Sequence, residues 1–153
     1  VTVGQKEYAI RKAYNVCDAW RDKYDFPNRF STYYYEAMAC VNEAAVIGIR
    51  AALGLKIRYK DDKIVDDDKE ERRQSKRTIE FAKQTALAGM YDWNDCTGLM
   101  EDWQGLFTDF EDTIETAVTI GWRVAKHLAI RFDKDGDLIE DETKDFGSRG
   151  ERD

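Results

Sequence analysis

Proline, histidine and cysteine are scarce in this 153-residue chain, which holds one, one and three of them respectively, and no apolar run reaches 18 residues. Each shortage removes a class of protein. A single histidine, His127, rules out centres built on several imidazoles and would make any histidine-dependent catalysis hang on one residue. The three cysteines (Cys17, Cys40 and Cys96) form no CxxC or Cys/His spacing, so neither a zinc site nor a disulfide framework is expected. Cys17 and Cys40 fall among apolar residues at helical spacing and read as buried free thiols, which belong to a reducing compartment. The most apolar stretch, residues 37–49, contains Asn42 and Glu43 and is too short to cross a bilayer. Lys6 and Glu7 stand where a secretory signal would need an apolar core, so cytoplasmic residence is expected, or a virion should the chain be phage-encoded. No GxGxxG or GxxxxGK[ST] phosphate loop is present, and no serine or cysteine sits in a nucleophile motif. The expectation is a non-enzyme with no cofactor.

What the chain does contain is a repeat of itself. Residues 44–58, AAVIGIRAALGLKIR, return 73 residues later as AVTIGWRVAKHLAIR, residues 117–131, with eight of fifteen positions identical. The same offset, without a gap, pairs Glu7 with Glu80, Ala9 with Ala82, Ala13 with Ala86, Trp20 with Trp93 and Asp22 with Asp95. The total is 14 identities over residues 7–62. Unrelated sequence of average composition would match at about one position in sixteen. The reading is a tandem duplication within one domain over 1–153, with repeat 1 at 1–68, repeat 2 at 69–142 and a flexible tail at 143–153. Halves of about 70 residues would each be marginal alone, so intimate packing between them is expected.

Apolar periodicity predicts one helix over 5–24 and a second from near residues 27–32 to Leu53, with Pro27 breaking the chain between them and Gly54 ending the second. Repeat 2 should follow with helices over 69–94 and 104–127, the charge order of 66–77 opening the first of these. Alternation at Leu55, Ile57 and Tyr59 before Asp61-Asp62 predicts a hairpin. Asp135-Gly136 predicts its twin, the two pairing into one small sheet. The expected fold is mainly α: a duplicated helix–helix–β-hairpin unit with four main helices, pseudo-two-fold symmetry and two short hairpins. The second helix is apolar almost all round and should be central. It carries a stripe of small residues, Cys40, Ala44, Gly48 and Ala52, which returns as Thr113, Ala117, Gly121 and Ala125. A mid-helix glycine costs about 1 kcal/mol against alanine. Its presence in both copies points to a close helix crossing at Gly48 and Gly121, beside Ala44 and Ala117.

Charge divides the copies more than the apolar pattern does. Residues 1–73 hold 14 Lys and Arg against 13 Asp and Glu, a net +1, whereas residues 74–153 hold 10 against 18, a net −8, which together make the chain's −7. Glu101, Asp102, Asp109, Asp112 and Glu115, together with Glu111, should form an exposed acidic interaction surface. It suits a basic protein partner, or self-association, and repels nucleic-acid phosphates. The basic residues at 69–77 and at Arg58 and Lys60, near Tyr33-Tyr34-Tyr35, are interrupted by acids, which disfavours nucleic acid as a partner.

Asp133, Asp135 and Asp137 take the first, third and fifth places of a calcium loop. Leu138, however, stands where that loop needs glycine and Lys144 where it needs glutamate. A solvated turn is the simpler reading, and the three aspartates remain candidates for weak divalent metal binding. Glu36 and Glu43 on the second helix, with Asp109, Asp112 and Glu115 as neighbours, would serve the alternative of a small metal-dependent nucleotide hydrolase. Thr116, at the position matching Glu43, breaks the pattern. The function expected first is a non-enzymatic acidic protein-interaction module. It would suit a phage or mobile-element protein acting as a virion assembly component or as an inhibitor of a host factor.

Overall fold

The computed structural model describes residues 2–24, 31–61, 63–65, 78–97 and 104–141. Four helices, α1 (Val3–Tyr24), α2 (Ser31–Leu53), α3 (Ile79–Thr97) and α4 (Gln104–Ala125), are joined by two short strands, β1 (Tyr59–Lys60) and β2 (Lys63–Ile64). The connector 66–77, with the repeat boundary, and the tail 143–153 lie outside the described residues. No described helix is long and apolar enough to cross a membrane.

Side-chain oxygens set the helix starts. Thr2 Oγ1 accepts the Gln5 N–H at 3.0 Å while Gln5 Oε1 accepts the Thr2 N–H at 2.8 Å, a reciprocal capping box that opens α1. Thr78 Oγ1 accepts the Phe81 N–H at 3.1 Å, and the Thr78 carbonyl accepts from Ala82. α3 therefore opens at this cap, later than charge order alone predicts. An oxygen that satisfies an orphaned N–H is a stronger local signal than charges favourable to the helix dipole.

α2 and α4 share the most extensive interface, and α1 and α3 lie against both of them. The core between them holds Cys17, Val41, Ile47, Met90, Ile114 and Val118, all essentially inaccessible. Trp20 and Trp93 both stack near Phe110, with ring centroids 4.6 and 5.8 Å away. The residue 73 places before Phe110 is Ala37, also fully buried, so one large ring fills space that both tryptophans border.

The α2–α4 contact is a backbone contact. A Cβ on Gly48 would overlap the Val118 carbonyl oxygen and lie 2.9 Å from the Trp122 nitrogen. A Cβ on Gly121 would overlap the Ala45 carbonyl oxygen and lie 3.2 Å from the Ala45 Cα. Ala45 and Val118 are themselves 73 residues apart, so the two contacts are reciprocal. Ala44 and Ala117 are fully buried in the same interface region.

Both central helices also end alike. The Leu55 N–H returns to the Arg50 carbonyl at 2.8 Å and the Gly54 N–H to Ala51 at 3.2 Å. Leu128 returns to Arg123 at 2.8 Å and His127 to Val124 at 3.1 Å. A residue just past each helix is left-handed, with φ of 75° at Gly54 and 61° at His127, which makes both ends Schellman motifs. The only histidine is thus an exposed helix stop. Buried Arg50 and Arg123 reach over these turns, each Nε donating at 2.7 Å to a carbonyl six residues on, at Lys56 and Ala129 respectively. Arg123 Nη1 also donates to the Asp141 carbonyl at 2.5 Å. Backbone carbonyls, which need donors once buried, accept from both arginines, and Arg123 Nη2 also lies 3.8 Å from the Asp141 carboxylate.

Tyr59 pairs with Ile64 and Lys60 with Lys63 around Asp61, whose φ is 53°. The second arm narrows to a single antiparallel bridge between Phe132 and Leu138. It closes Ile139 on Arg131 where the first closes Val65 on Arg58, so it is one residue longer. Asp133 explains the change: its Oδ1 accepts the N–H groups of Asp135 at 2.9 Å and Asp137 at 3.0 Å, holding the turn with a side chain. Among the described residues the sheet is β1 and β2 alone, not the joint sheet expected of both hairpins.

The glycines give a contrast in sign. Gly48→Ala and Gly121→Ala should each destabilise by about 1–3 kcal/mol through overpacking, despite the better helix propensity of alanine. Gly89 is also helical, but a Cβ there meets nothing within 4 Å, so Gly89→Ala should stabilise by about 1 kcal/mol. Thermal melting of the three variants decides; a stabilising effect at Gly48 or Gly121 would remove the close contact.

Candidate functional site

α4 places Phe110, Ile114 and Val118 in the core, and the helical period then sends Asp109, Asp112 and Glu115 toward the opposite side, with Glu111 beside them. Glu101 and Asp102, expected on the same surface, lie outside the described residues. The remaining carboxylates are held differently. Asp109 Oδ2 accepts from Lys23 Nζ of α1 at 2.6 Å, and Glu111 Oε2 accepts from the Tyr91 hydroxyl of α3 at 2.5 Å. Lys83, largely covered, pairs with Glu140 at 3.6 Å and also acts on Glu115.

Like charge accumulates along this flank. Partial burial, then Asp109, Glu111 and Asp137, push the Asp112 carboxyl above its ordinary value, against the pull of Lys23. Glu115 is pushed up by partial burial and by Asp112, Glu80 and Glu111, with Lys83 opposing. The Tyr91 phenol is pushed up to about 12, first by its hydrogen bond to Glu111. Glu80, Lys83 and Tyr91 complete the site without having been anticipated. Their spacing puts them near one face of α3, a signal present in the sequence, whereas the arrival of Lys23 from α1 needed the tertiary structure.

The other candidates sit elsewhere. Asp133, Asp135 and Asp137 are exposed on the second turn, with the Asp133 carboxylate engaged by two backbone N–H groups. Among the described residues no three His, Cys, Asp or Glu side chains gather as a metal ion would require. Glu36 accepts the Trp93 indole N–H at 2.8 Å, and half-buried Glu43 is pushed up by burial with Lys63 opposing. Both line a groove against α3 to which α4 contributes no residue. Cys17 and Cys40 are free thiols pushed up to about 12, chiefly by burial, so they stay protonated and unreactive near neutral pH.

Comparison of the chain with family models, with curated proteins and with solved structures finds no match. The chemistry of its own surface therefore carries the functional argument.

The raised carboxyls make stability depend on pH with a definite sign. Glu43, Asp112 and Glu115 all protonate at higher pH in the folded chain than the ordinary values of 4.5, 3.8 and 4.5 that hold when unfolded. The folded state then binds more protons in that window, so stability falls as pH rises through the folded pKa values and the loss is complete at neutral pH. Acidification from neutrality to roughly pH 5 should raise the melting temperature, and Asp112→Asn with Glu115→Gln should flatten the rise. A wild-type melting temperature that falls over this range would contradict the accumulated repulsion.

Proposed function

We propose that this chain is a non-enzymatic, tandem-duplicated module that binds a basic protein surface through the acidic flank of α4. The observation that carries this reading is the crowding of Asp109, Glu111, Asp112 and Glu115 on one helix. Glu80 and Asp137 add to the negative field, which Lys23 and Lys83 oppose. Such a field speeds encounter with cationic surfaces and rejects acidic ones. A basic partner would also relieve the repulsion that raises the Asp112 and Glu115 carboxyls. The same surface would serve an inhibitor that masks a basic face of a host factor, or a subunit docking into a larger assembly.

Support for the duplication comes from the recurrence of the 73-residue offset in the reciprocal glycine contacts, the paired Schellman ends and the two arginine clamps. A chain that has already met its own copy internally is expected to be monomeric and to seek a different partner. The hydrolase alternative gains nothing from how its carboxylates are engaged: Glu36 by Trp93 and Asp109 by Lys23.

Asp112→Lys with Glu115→Lys tests the reading. The wild-type chain, used as bait at low salt, should retain a basic protein that the double variant loses by about tenfold or more, with a melting temperature no lower than the wild type's. Retention that survives the reversal, or no retention by the wild type, contradicts the proposal.

A further inference from the structure

α2 is apolar almost all round, yet α4 covers only one side of it. Its outer side lines two adjoining grooves. The larger, about 920 Å³, runs between α2 and α3; the smaller, about 440 Å³, lies between α2, α1 and β2. Ala39 and Glu43 line both, so the two adjoin at this edge of α2; Lys63 lines the smaller, and the larger forms a trough. The lining of the trough includes small exposed residues, Ala39, Ala88 and a Gly89 whose missing Cβ would meet nothing within 4 Å. Its walls are aromatic: Trp93, with Phe81 and Tyr59 exposed at 37% and 46%. Exposed apolar surface of this kind, continuous and walled, is uncommon unless something covers it.

Glu36, Glu43 and Asp92 line the larger groove, and among the described residues no lysine or arginine does. The potential there is negative enough to be felt by neutral neighbours. The Tyr59 phenol is pushed up by burial and then by Glu43, Cys40 and Asp92, and the Cys40 thiol by burial and then by Glu43 and Glu36.

The opposite side of the molecule shows that the architecture does not impose this trough. Seventy-three residues before Gln84, Thr85, Ala88 and Gly89 stand Arg11, Lys12, Asn15 and Val16. Arg11 and Lys12 lie over the Tyr8 ring at 5.9 and 5.4 Å. The α1 strip is therefore larger and cationic, while the matching α3 strip is emptied and bordered by acids.

We infer that the trough along α2 and α3 is a docking site for an amphipathic helix of a partner protein, whose apolar side chains enter over Ala39, Ala88 and Gly89 and whose lysines or arginines meet Glu36, Glu43 and Asp92. A groove between two helices, with small exposed residues beside aromatic ones, matches the helix-in-groove mode, in which anchors recur at three- and four-residue spacing. The apolar lining distinguishes this occupant from a bare polycation, and the carboxylates reject an acidic helix. This surface is distinct from the α4 flank, so the two readings stand or fall separately.

The test uses the full chain and two fluorescein-labelled peptides of about 18 residues, each with leucines at amphipathic spacing and the remaining positions filled by lysine or by glutamate. Fluorescence anisotropy should show binding of the leucine–lysine peptide to the wild type and no binding of the leucine–glutamate peptide. Gly89→Leu places bulk in the groove from an open position and should not lower the melting temperature while weakening binding by about tenfold or more. Asp92→Lys should weaken it comparably at low salt, and Asp112→Lys should leave it unchanged. The inference is overturned if the leucine–lysine peptide does not bind, or if Gly89→Leu leaves its affinity intact. It is equally overturned if Asp112→Lys alone abolishes binding, which places the cationic probe on the α4 flank. Self-association of the wild type that Gly89→Leu removes would overturn it in favour of a second copy of this chain.

Discussion

Gly48 and Gly121 let two helix backbones touch, and most of the architecture depends on that contact. A Cβ at either position would overlap a carbonyl oxygen of the facing helix, so α2 and α4 can meet as they do only where both lack a side chain. Close approach of the central pair leaves α1 and α3 each able to reach both helices. Residues of all four helices then form the main core cluster, beside a smaller one of Ala9, Ile49, Ala52, Ile120, Val124 and Ala125. About 1 kcal/mol of helix propensity is forfeited at each glycine, and the buried interface around it offsets that cost.

Around this contact α2 and α4 share the same backbone devices, and the surfaces beside them differ in what they show to solvent. Schellman ends and buried arginines recur at the same offset, because each helix must stop and each exit strand must find donors for its carbonyls. Packing tolerates local exchange, as where Ala37 in one half corresponds to Phe110 in the other and a single ring borders both tryptophans. Surface positions carry no such constraint. One flank carries carboxylates along α4, and another is small along α3, at Ala88 and Gly89, where the α1 positions 73 residues earlier are Asn15 and Val16. Function is argued from these divergent strips, since the shared positions are already explained by the fold.

Helix periodicity was legible because the apolar stripe of α1 and the small-residue stripe of α2 are local patterns. The start of α3 was missed because a cap at Thr78 outweighs the charge order before it. The second hairpin was overestimated because an Asp-Gly pair signals a turn and says nothing of the Asp133 side chain that takes over its amides. Arg50 and Arg123 stood out as repeated residues, but their carbonyl partners became visible only with the helix ends in place. The α4 carboxylates were readable as a surface, whereas Lys23 and Tyr91 reach them from other helices. The trough was not readable at all, since α2, α3 and the β1–β2 hairpin supply its walls from distant parts of the chain.

The most direct test of the account is the distance between the two central backbones, measured by interhelical nuclear Overhauser effects in isotope-labelled protein. The Gly48 Cβ position lies 2.9 Å from the Trp122 nitrogen and the Gly121 Cβ position 3.2 Å from the Ala45 Cα. The account predicts strong cross-peaks from a Gly48 Hα to the Trp122 amide proton and from a Gly121 Hα to the Ala45 Hα. Assigned glycine resonances that show neither cross-peak would mean that α2 and α4 do not meet through their backbones, and the arrangement built on that contact would fail.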